Sequence, residues 1–507
     1  MALRFGVAEL KAVPPPRIED LDLRPPRIEP PAGLADRITA DPYERALHTY
    51  GKSLRDIVRV FRREFGPAPD LVAYPTSEED VVRILDWCAD RRVAVVPFGG
   101  GSSVVGGVEP AVGDGYAGTL SLDLGRLDRV LEIDRVSRAA RIQAGVLGPA
   151  LEAQLRPHGL TLRHFPQSFQ YSSLGGWIAT RSGGHYATLY THIDEFVEGL
   201  RVVTARGVVE TRRLPASGAG PAPDRLFIGS EGILGVITEA WMRLQDRPRH
   251  RAMAAVFFPD FLTGARAVRA LAQSGLFPAN CRLLDPHEAG EAGAGDGTRA
   301  VLVLGFESAD HPVDAALSRA LELCRDFGGE PESARSATDD PAVARTGSAG
   351  AWRDAFLRAP YAREVLVPAG VVADTYETAV TWDRFEAFYS ALVETTERAI
   401  REISGHPGWV ACRFTHVYPD GPAPYFSFRA LTRPADTLAA WEHIKTAVSE
   451  AIVRLGGTIT HHHAVGRDHR RWYDQELPPL FRAALRAAKA ELDPRGILNP
   501  GVLVDPA

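Results

Sequence analysis

Several short stretches hold residues whose types and spacing could do chemistry. Val95 to Pro110 reads VVPFGGGSSVVGGVEP, in which Phe98 leads into Gly99, Gly100 and Gly101, with Ser102, Ser103 and Val104 behind them. Glycine adopts backbone conformations closed to other residues and lets main-chain N–H groups approach an anion, and serine adds hydroxyl donors. The stretch fits a loop wrapped around a pyrophosphate; alone, it fits an ordinary glycine-rich turn at least as well. His461, His462 and His463 are consecutive at an expected strand end. A strand alternates faces, so at most His461 and His463 share one. Imidazoles suit proton transfer near neutral pH. No acidic or cysteine residue stands at characteristic zinc spacing to them, so no metal is expected. Arg282 in CRLLD and Arg413 in CRFTH lie inside apolar strands. An arginine there needs a partner, either a structural carboxylate or the phosphate or carboxylate of a ligand. Tyr425 in PYFSF reads as a core aromatic or as a phenol for proton transfer. Arg467, Arg470 and Arg471 follow the histidines and fit an anionic ligand or a solvated helix face.

The elements that must position these residues fall into two textures. Residues 1 to about 40 are proline-rich and read as an arm. From Asp41, DPYERALHTYGKSLRDIVRVFRREFG is expected to form one helix, capped by Asp41 and ended by Gly66 and Pro67. Thr76 or Ser77 caps the next helix, and the strand Val93 to Val96 delivers the glycine loop. Strands and turns, not a helix, follow the loop, which excludes a Rossmann nucleotide site. Two more glycine-dense stretches follow, HFPQSFQYSSLGGWIATRSGG and IGSEGILGVI. Three such stretches in one domain favour a large shared cofactor. After Met242, strands and helices alternate without glycine loops, as in an antiparallel sheet with helices on one face. There 328 to 350 reads as a long loop, EVLVPAGVV as a strand, and WVACRFTHVY with APYFSFRALT as a hairpin.

The 507 residues are 45% hydrophobic and 24% charged, enough for two or more domains with large cores. A net charge of −6 argues against a nucleic-acid partner. Cys88, Cys281, Cys324 and Cys412 form no CxxC pair, which fits a reducing compartment. No membrane span, secretory leader or SKL-type address is legible, so a cytoplasmic location is expected, with peripheral membrane contact left open.

These motifs together resemble the vanillyl-alcohol-oxidase-type FAD flavoproteins, and within them the alkylglycerone-phosphate synthase branch. The resemblance runs from about Tyr43 to Val502. It rests on PTSEEDVVRI before PFGGGSSV, on HFPQSFQYSSLGGWIATRSGG, GSEGILGVITEA and LDPRGILNPG, and on CRLLD, CRFTHVY, PYFSF and THHHAVG. It implies an α+β fold: a two-part FAD-binding domain with an inserted α/β cap, an antiparallel sheet covered by helices. The implied boundaries are an arm and helix over 1–60, the FAD-binding domain over 61–245, the cap over 246–455, and a returning segment over 456–507.

The resemblance also implies roles. Phe98, Gly99, Gly100, Gly101, Ser102, Ser103 and Val104 would wrap the FAD pyrophosphate. Gln167, Ser168, Ser172, Ser173, Thr180, Arg181, Ser182 and Gly183 would line the rest of the cofactor, with Glu231, Gly232, Ile233, Leu234, Gly235, Val236 and Ile237. Covalent members carry His in the glycine loop; Ser102 here implies noncovalent FAD. Arg282 and Arg413 match substrate-site arginines, Tyr425 the catalytic tyrosine, and His461 to His463 the catalytic histidine cluster. The implied reaction exchanges the acyl chain of acyl-dihydroxyacetone phosphate for a long-chain alcohol, with flavin N5 attacking C2 and no net redox change. The alternative is an FAD-linked oxidase or dehydrogenase of a 2-hydroxy acid or alcohol. The implied partners are a lipid-like, phosphorylated small molecule and a second copy of the chain. The chain departs from the branch at Gln167, where an acidic residue is usual, at Ala464 and Arg467, where HHHGVGK becomes HHHAVGR, and in the placing of His185 and His192.

Overall fold

A computed structural model describes residues 13–190, 192–340 and 347–505. The start of the proline-rich arm, the middle of the 328–350 stretch and the last two residues lie outside the described residues. The chain divides into two compact units, one of residues 14–182, 192–245 and 462–505, the other of 183–190 and 246–461.

In the first unit, strands Leu71–Ala73, Gly118–Asp123 and Val93–Phe98 pair in parallel, and Ile38–Thr39 pairs antiparallel at the outer edge. The helix Glu78–Arg91 packs on them. Ser77 caps it by accepting from the Asp80 N–H, three acidic residues fill its first turn, and Arg92 ends it at φ 55°. Its apolar stripe, Val81, Ile84, Leu85 and Cys88, is buried with Leu71, Val93, Val95, Leu120 and Leu122. Each such aliphatic side chain contributes about 1.5–3 kcal/mol by leaving water. A second, antiparallel sheet orders Val130–Asp134, Ala139–Gln143, Val236–Arg243, Val197–Thr204 and Gly207–Glu210. The C-terminal segment adds itself to the first sheet. Val95 N–H donates to the Ile497 carbonyl at 2.8 Å, and Asn499 N–H to the Val95 carbonyl at 2.8 Å.

The single helix expected from Asp41 to Gly66 is in fact two, Pro42–Leu47 and Leu54–Phe61. Asp41 caps the first as expected. Ser53 and Asp56 form a reciprocal capping box that restarts the second. The break lets Gly51 come so close to Ser103 that a β-carbon there would fall on the Ser103 carbonyl.

The second unit is built on a sheet of eight strands among the described residues. Its order is Glu330–Pro331, His250–Phe258, Ala300–Ser308, Asn280–Leu284, Trp409–Val417, Pro422–Leu431 and Val371–Glu377, with Arg335–Thr338 also pairing His250–Phe258. The pairings are antiparallel. Helices cover both faces, which corrects the expectation of one covered face. Ala255, Val301, Val303 and Leu284 pack under Ala289 of helix Pro286–Ala292 and Trp352 of helix Gly347–Leu366. On the other face Phe414 meets Phe261 and Phe385, from helices Phe261–Gln273 and Trp382–Ser404. Strand Trp409–Val417 is buried at every position but its first, so both of its faces need cover.

Two local expectations in this unit also fail. The 328–350 stretch holds the short strands Glu330–Pro331 and Arg335–Thr338; they are polar because they lie at the sheet's exposed margin. In EVLVPAGVV, Glu364 to Leu366 end a helix, and the strand begins only at Val371 after Gly370 at φ 87°. A short apolar run fits either element, and Pro368 marks where the helix must stop. No helix among the described residues is long and apolar enough to cross a membrane.

Candidate active site

Register places the chemistry of the second unit on one face of its sheet. Paired residues share a face, and the pairs run Arg282↔Val303, Leu284↔Arg413, Arg413↔Tyr425 and Tyr425↔Glu377. Arg282, Arg413, Tyr425 and Glu377 therefore project together. The register slips between Phe414 and His416, which opposes Ala423, so the bulge returns His416 to the same face.

The three residues singled out from the sequence are buried, at 3% exposure for Arg282 and 6% each for Arg413 and Tyr425. The Arg413 guanidinium lies 4.0 Å from the centre of the Tyr425 ring and pairs with the Glu288 carboxylate. Burial works to lower the Arg413 pKa, but the charge and hydrogen bond of Glu288, together with Tyr425 and Cys412, raise it, and the net shift is upward. Tyr425 Oη donates to Thr375 Oγ1 at 3.1 Å. Arg282 stacks 5.1 Å from the Trp352 ring centre, and its Nη2 donates to the His185 carbonyl at 3.4 Å. Burial, helped by the like charge of Arg413, pulls the Arg282 guanidinium down to about 9. His185, one of the unexpected histidines, stacks on Trp352 and hydrogen-bonds Asn280 Nδ2 at 3.0 Å.

The histidine run is not at a strand end. Residues 461–463 form a bend, and the boundary between the compact units falls within the run, after His461. Glu377 accepts the His461 N–H and the Thr460 hydroxyl, both at 2.6 Å, so the residue opposite Tyr425 also holds the start of the run. His461 Nε2 meets Tyr418 Oη at 2.8 Å, and its ring lies 5.0 Å from that of His416. His462 and His463 belong to the first unit, where their rings are 4.6 Å apart.

In the first unit the glycine loop leaves the end of strand Val93–Phe98. A β-carbon on Gly99 would fall on Ser173 Oγ, and one on Gly100 on the Tyr171 carbonyl. Gly101 takes φ 62° over the Phe98 ring. Ser103 Oγ accepts from Val105 and Gly107 N–H at 3.4 and 3.0 Å and shapes the loop's turn. Ser172 accepts from Trp177 Nε1 at 2.7 Å and donates to the Ser168 carbonyl, and Ser173 caps the helix Leu174–Thr180. Thr180 donates to the Gly176 carbonyl, and Arg181 turns the chain at φ 53° and pairs with Asp194. Ser182 meets His164 Nε2 at 2.9 Å; burial holds that imidazole neutral, down to about 3. Asp194 also receives His192 Nδ1 at 2.9 Å.

The GSEGILG stretch works through its backbone and its acid. Glu231, at φ 49°, accepts from Val465 and Gly466 N–H at 2.9 and 2.8 Å. Burial pushes its carboxyl up to about 7 even against those two donors. Gly232 packs on Pro97, Gly235 on Val202, and Ile233, Leu234, Val236 and Ile237 are buried. Lys489 Nζ, itself buried, donates to the Ile233 and Leu498 carbonyls and pairs with Asp493. The arginines after the histidines are structural, against the anion-binding reading. Arg467 donates to the Glu109 and Pro500 carbonyls, Arg470 pairs with Asp474 and Asp505, and Arg471 lies over Trp472.

These residues fit a bound FAD. The loop's backbone packs so closely on 171–173 that it admits no β-carbon at Gly99 or Gly100. Glu288, Glu377, Thr375, Trp352 and His416 were not singled out from sequence. Only His416 had a signal, its place inside CRFTHVY.

Comparison with known proteins agrees with that reading. Residues 69–212 match the model of an FAD binding domain, and 247–503 that of the C-terminal domain of FAD linked oxidases. The chain is 30% identical to the alkyldihydroxyacetonephosphate synthase of Dictyostelium discoideum, over 98% of this chain and 84% of the relative. It is 28% identical to the glycolate oxidase subunit GlcD of Bacillus subtilis, over 86% and 89%. A solved alkyldihydroxyacetonephosphate synthase superposes with TM-score 0.81 at 27% identity, over 97% of this chain and 89% of that one. p-Cresol methylhydroxylase, at 16% identity and TM-score 0.70, shares the fold. The α+β fold and the site define an FAD-dependent flavoenzyme of the vanillyl-alcohol-oxidase type. The chain belongs to the FAD-linked oxidase family, in its alkyldihydroxyacetonephosphate synthase group.

Proposed function

We propose that this enzyme exchanges the acyl chain of an acyl-dihydroxyacetone phosphate for a long-chain alcohol, without net oxidation. The observation that carries the reading is the single sheet face on which buried Arg282, Arg413 and Tyr425 converge. Bound FAD supplies the electron-poor ring system against which the exchange runs. The chain's own residues supply charge and proton transfer. Arg413 and Arg282 hold the anionic group of the substrate. Tyr425, its ring under a guanidinium and its hydroxyl on Thr375, moves a proton at its Oη. His461, held by Glu377 and Tyr418, is a second proton carrier, and His462 and His463 continue that role. Gly99 to Gly101 and Ser102 hold the cofactor pyrophosphate, and the Gln167 to Gly183 and Glu231 to Ile237 stretches line its remainder.

Two measurements test the reading. The FAD-loaded enzyme, given acyl-dihydroxyacetone phosphate and an isotope-labelled long-chain alcohol, is expected to place the label in an ether product and release fatty acid. Mixed anaerobically with 2-hydroxy acids, it is expected to keep its oxidised flavin absorbance. Sustained bleaching by a hydroxy acid, with no label transfer, would establish the oxidase reading instead.

A further inference from the structure

The arginine face carries a negative charge of its own. Asp285 caps the helix Pro286–Ala292 by accepting the Glu288 N–H at 2.7 Å, and its other oxygen accepts the Cys412 N–H at 2.6 Å. One carboxylate thus ties the helix's first turn to the strand Trp409–Val417, next to Arg413. That tie aims Glu288 at the Arg413 guanidinium. The side chains of the pair are only 14% and 7% exposed. An exposed pair of this kind would have little effect, because water and salt screen it. A buried pair is different: each charge is desolvated, and any third charge brought to it is felt strongly.

We propose that Glu288 is a specificity-determining residue that competes with the substrate's anionic group for Arg413. The inference rests on the reading above that Arg413 receives that group. A phosphomonoester approaching Arg413 must share the guanidinium with Glu288 or displace it, and it meets the repulsion of a carboxylate already in place. The face therefore discriminates by charge. It holds a phosphate more loosely than two arginines alone would, and it lets a phosphorylated product leave sooner. Glu288 acts on the substrate only through Arg413 and moves no proton.

The test uses Glu288→Gln, which keeps the shape and an acceptor oxygen but removes the charge. Inorganic phosphate is the probe, titrated calorimetrically into the FAD-loaded enzyme. The expected result is roughly fivefold to tenfold tighter phosphate binding and a steeper weakening with salt. KM for the phosphorylated substrate is expected to fall by a similar factor, while KM for the long-chain alcohol stays put. Glu288→Asp retains the charge but draws it back by one methylene. It is expected to tighten binding less, in the same direction, and it carries the test if Glu288→Gln does not fold. Flavin content and melting temperature establish that each variant is intact. Unchanged or weaker phosphate binding in the folded variants overturns the inference. If phosphate binding tightens but the native enzyme transfers no alcohol, the proposed function fails and the competition for Arg413 stands. If the native enzyme transfers alcohol and phosphate binding does not tighten, only the competition fails.

Discussion

Tyr425 is fixed by neighbours from the two strands that flank its own. Arg413 covers its ring, Thr375 accepts from its hydroxyl, and Glu377 stands opposite it in the sheet. Tyr425→Phe keeps the ring and removes the hydroxyl with its proton and its bond to Thr375. It is expected to slow label transfer by roughly 10²–10⁴-fold while flavin absorbance stays unchanged. A second residue carries local strain: Ala464, where the related pattern has glycine, sits at φ 74°. An alanine there costs about 1–2 kcal/mol, and glycine returns part of that through chain entropy. Ala464→Gly is therefore expected to stabilise by about 0.5–1 kcal/mol, read from urea unfolding. Arg282 and Arg413 were legible because a charge inside an apolar strand is an anomaly that demands a partner; Tyr425, which reads as a core aromatic by itself, was singled out through the family resemblance alone. Glu288 was not, since a glutamate in the first turn of a helix is what an ordinary helix carries. Arg467 and Arg470 misled for a related reason. Composition places an arginine near a site, but only the fold reveals that carbonyls and acids already occupy it.

The elements were most legible where capping chemistry is explicit. Ser77 and Asp41 start helices where the sequence places them, and the PDG turn joins its two strands. Legibility failed where a long-range contact overrides a local pattern, as in the helix broken at Gly51 to admit the Ser103 carbonyl. It failed too for the second covered sheet face, because strands apolar on both sides do not say which helices cover them. The glycine loop gives the sharpest test at this scale. In Gly100→Ala the new methyl would collide with the main chain of Tyr171, not with a side chain that can turn away. The variant is expected to purify without bound flavin, read from the visible absorbance. Lys489→Met tests the other side of the same unit. It strips three partners from one buried ammonium position and leaves Asp493 without its cation. A loss of about 3–5 kcal/mol is expected in urea unfolding.

For the whole molecule, Glu231 links stability to pH. Its carboxyl stands at about 7 in the folded protein against an ordinary 4.5, so between those values the folded state keeps a proton that the unfolded chain has released. The associated stability is fully present below about 4.5 and is lost as pH rises through 7, a change of about 3 kcal/mol. The difference between native and Glu231→Gln unfolding curves is expected to show that slope from pH 5 to 7.5; parallel curves would exclude it.

The return of the C-terminal segment to the first sheet has a consequence in time. Val95, at the root of the glycine loop, receives its last neighbours from Ile497 and Asn499, and Tyr116 hydrogen-bonds a carbonyl 380 residues away. Contacts of such separation form late and slowly, because a long loop must close before they reward it. Until that closure the chain holds the loop without the backbone partners that brace its root, so flavin capture is expected to follow the docking of residues 497–499 rather than precede it.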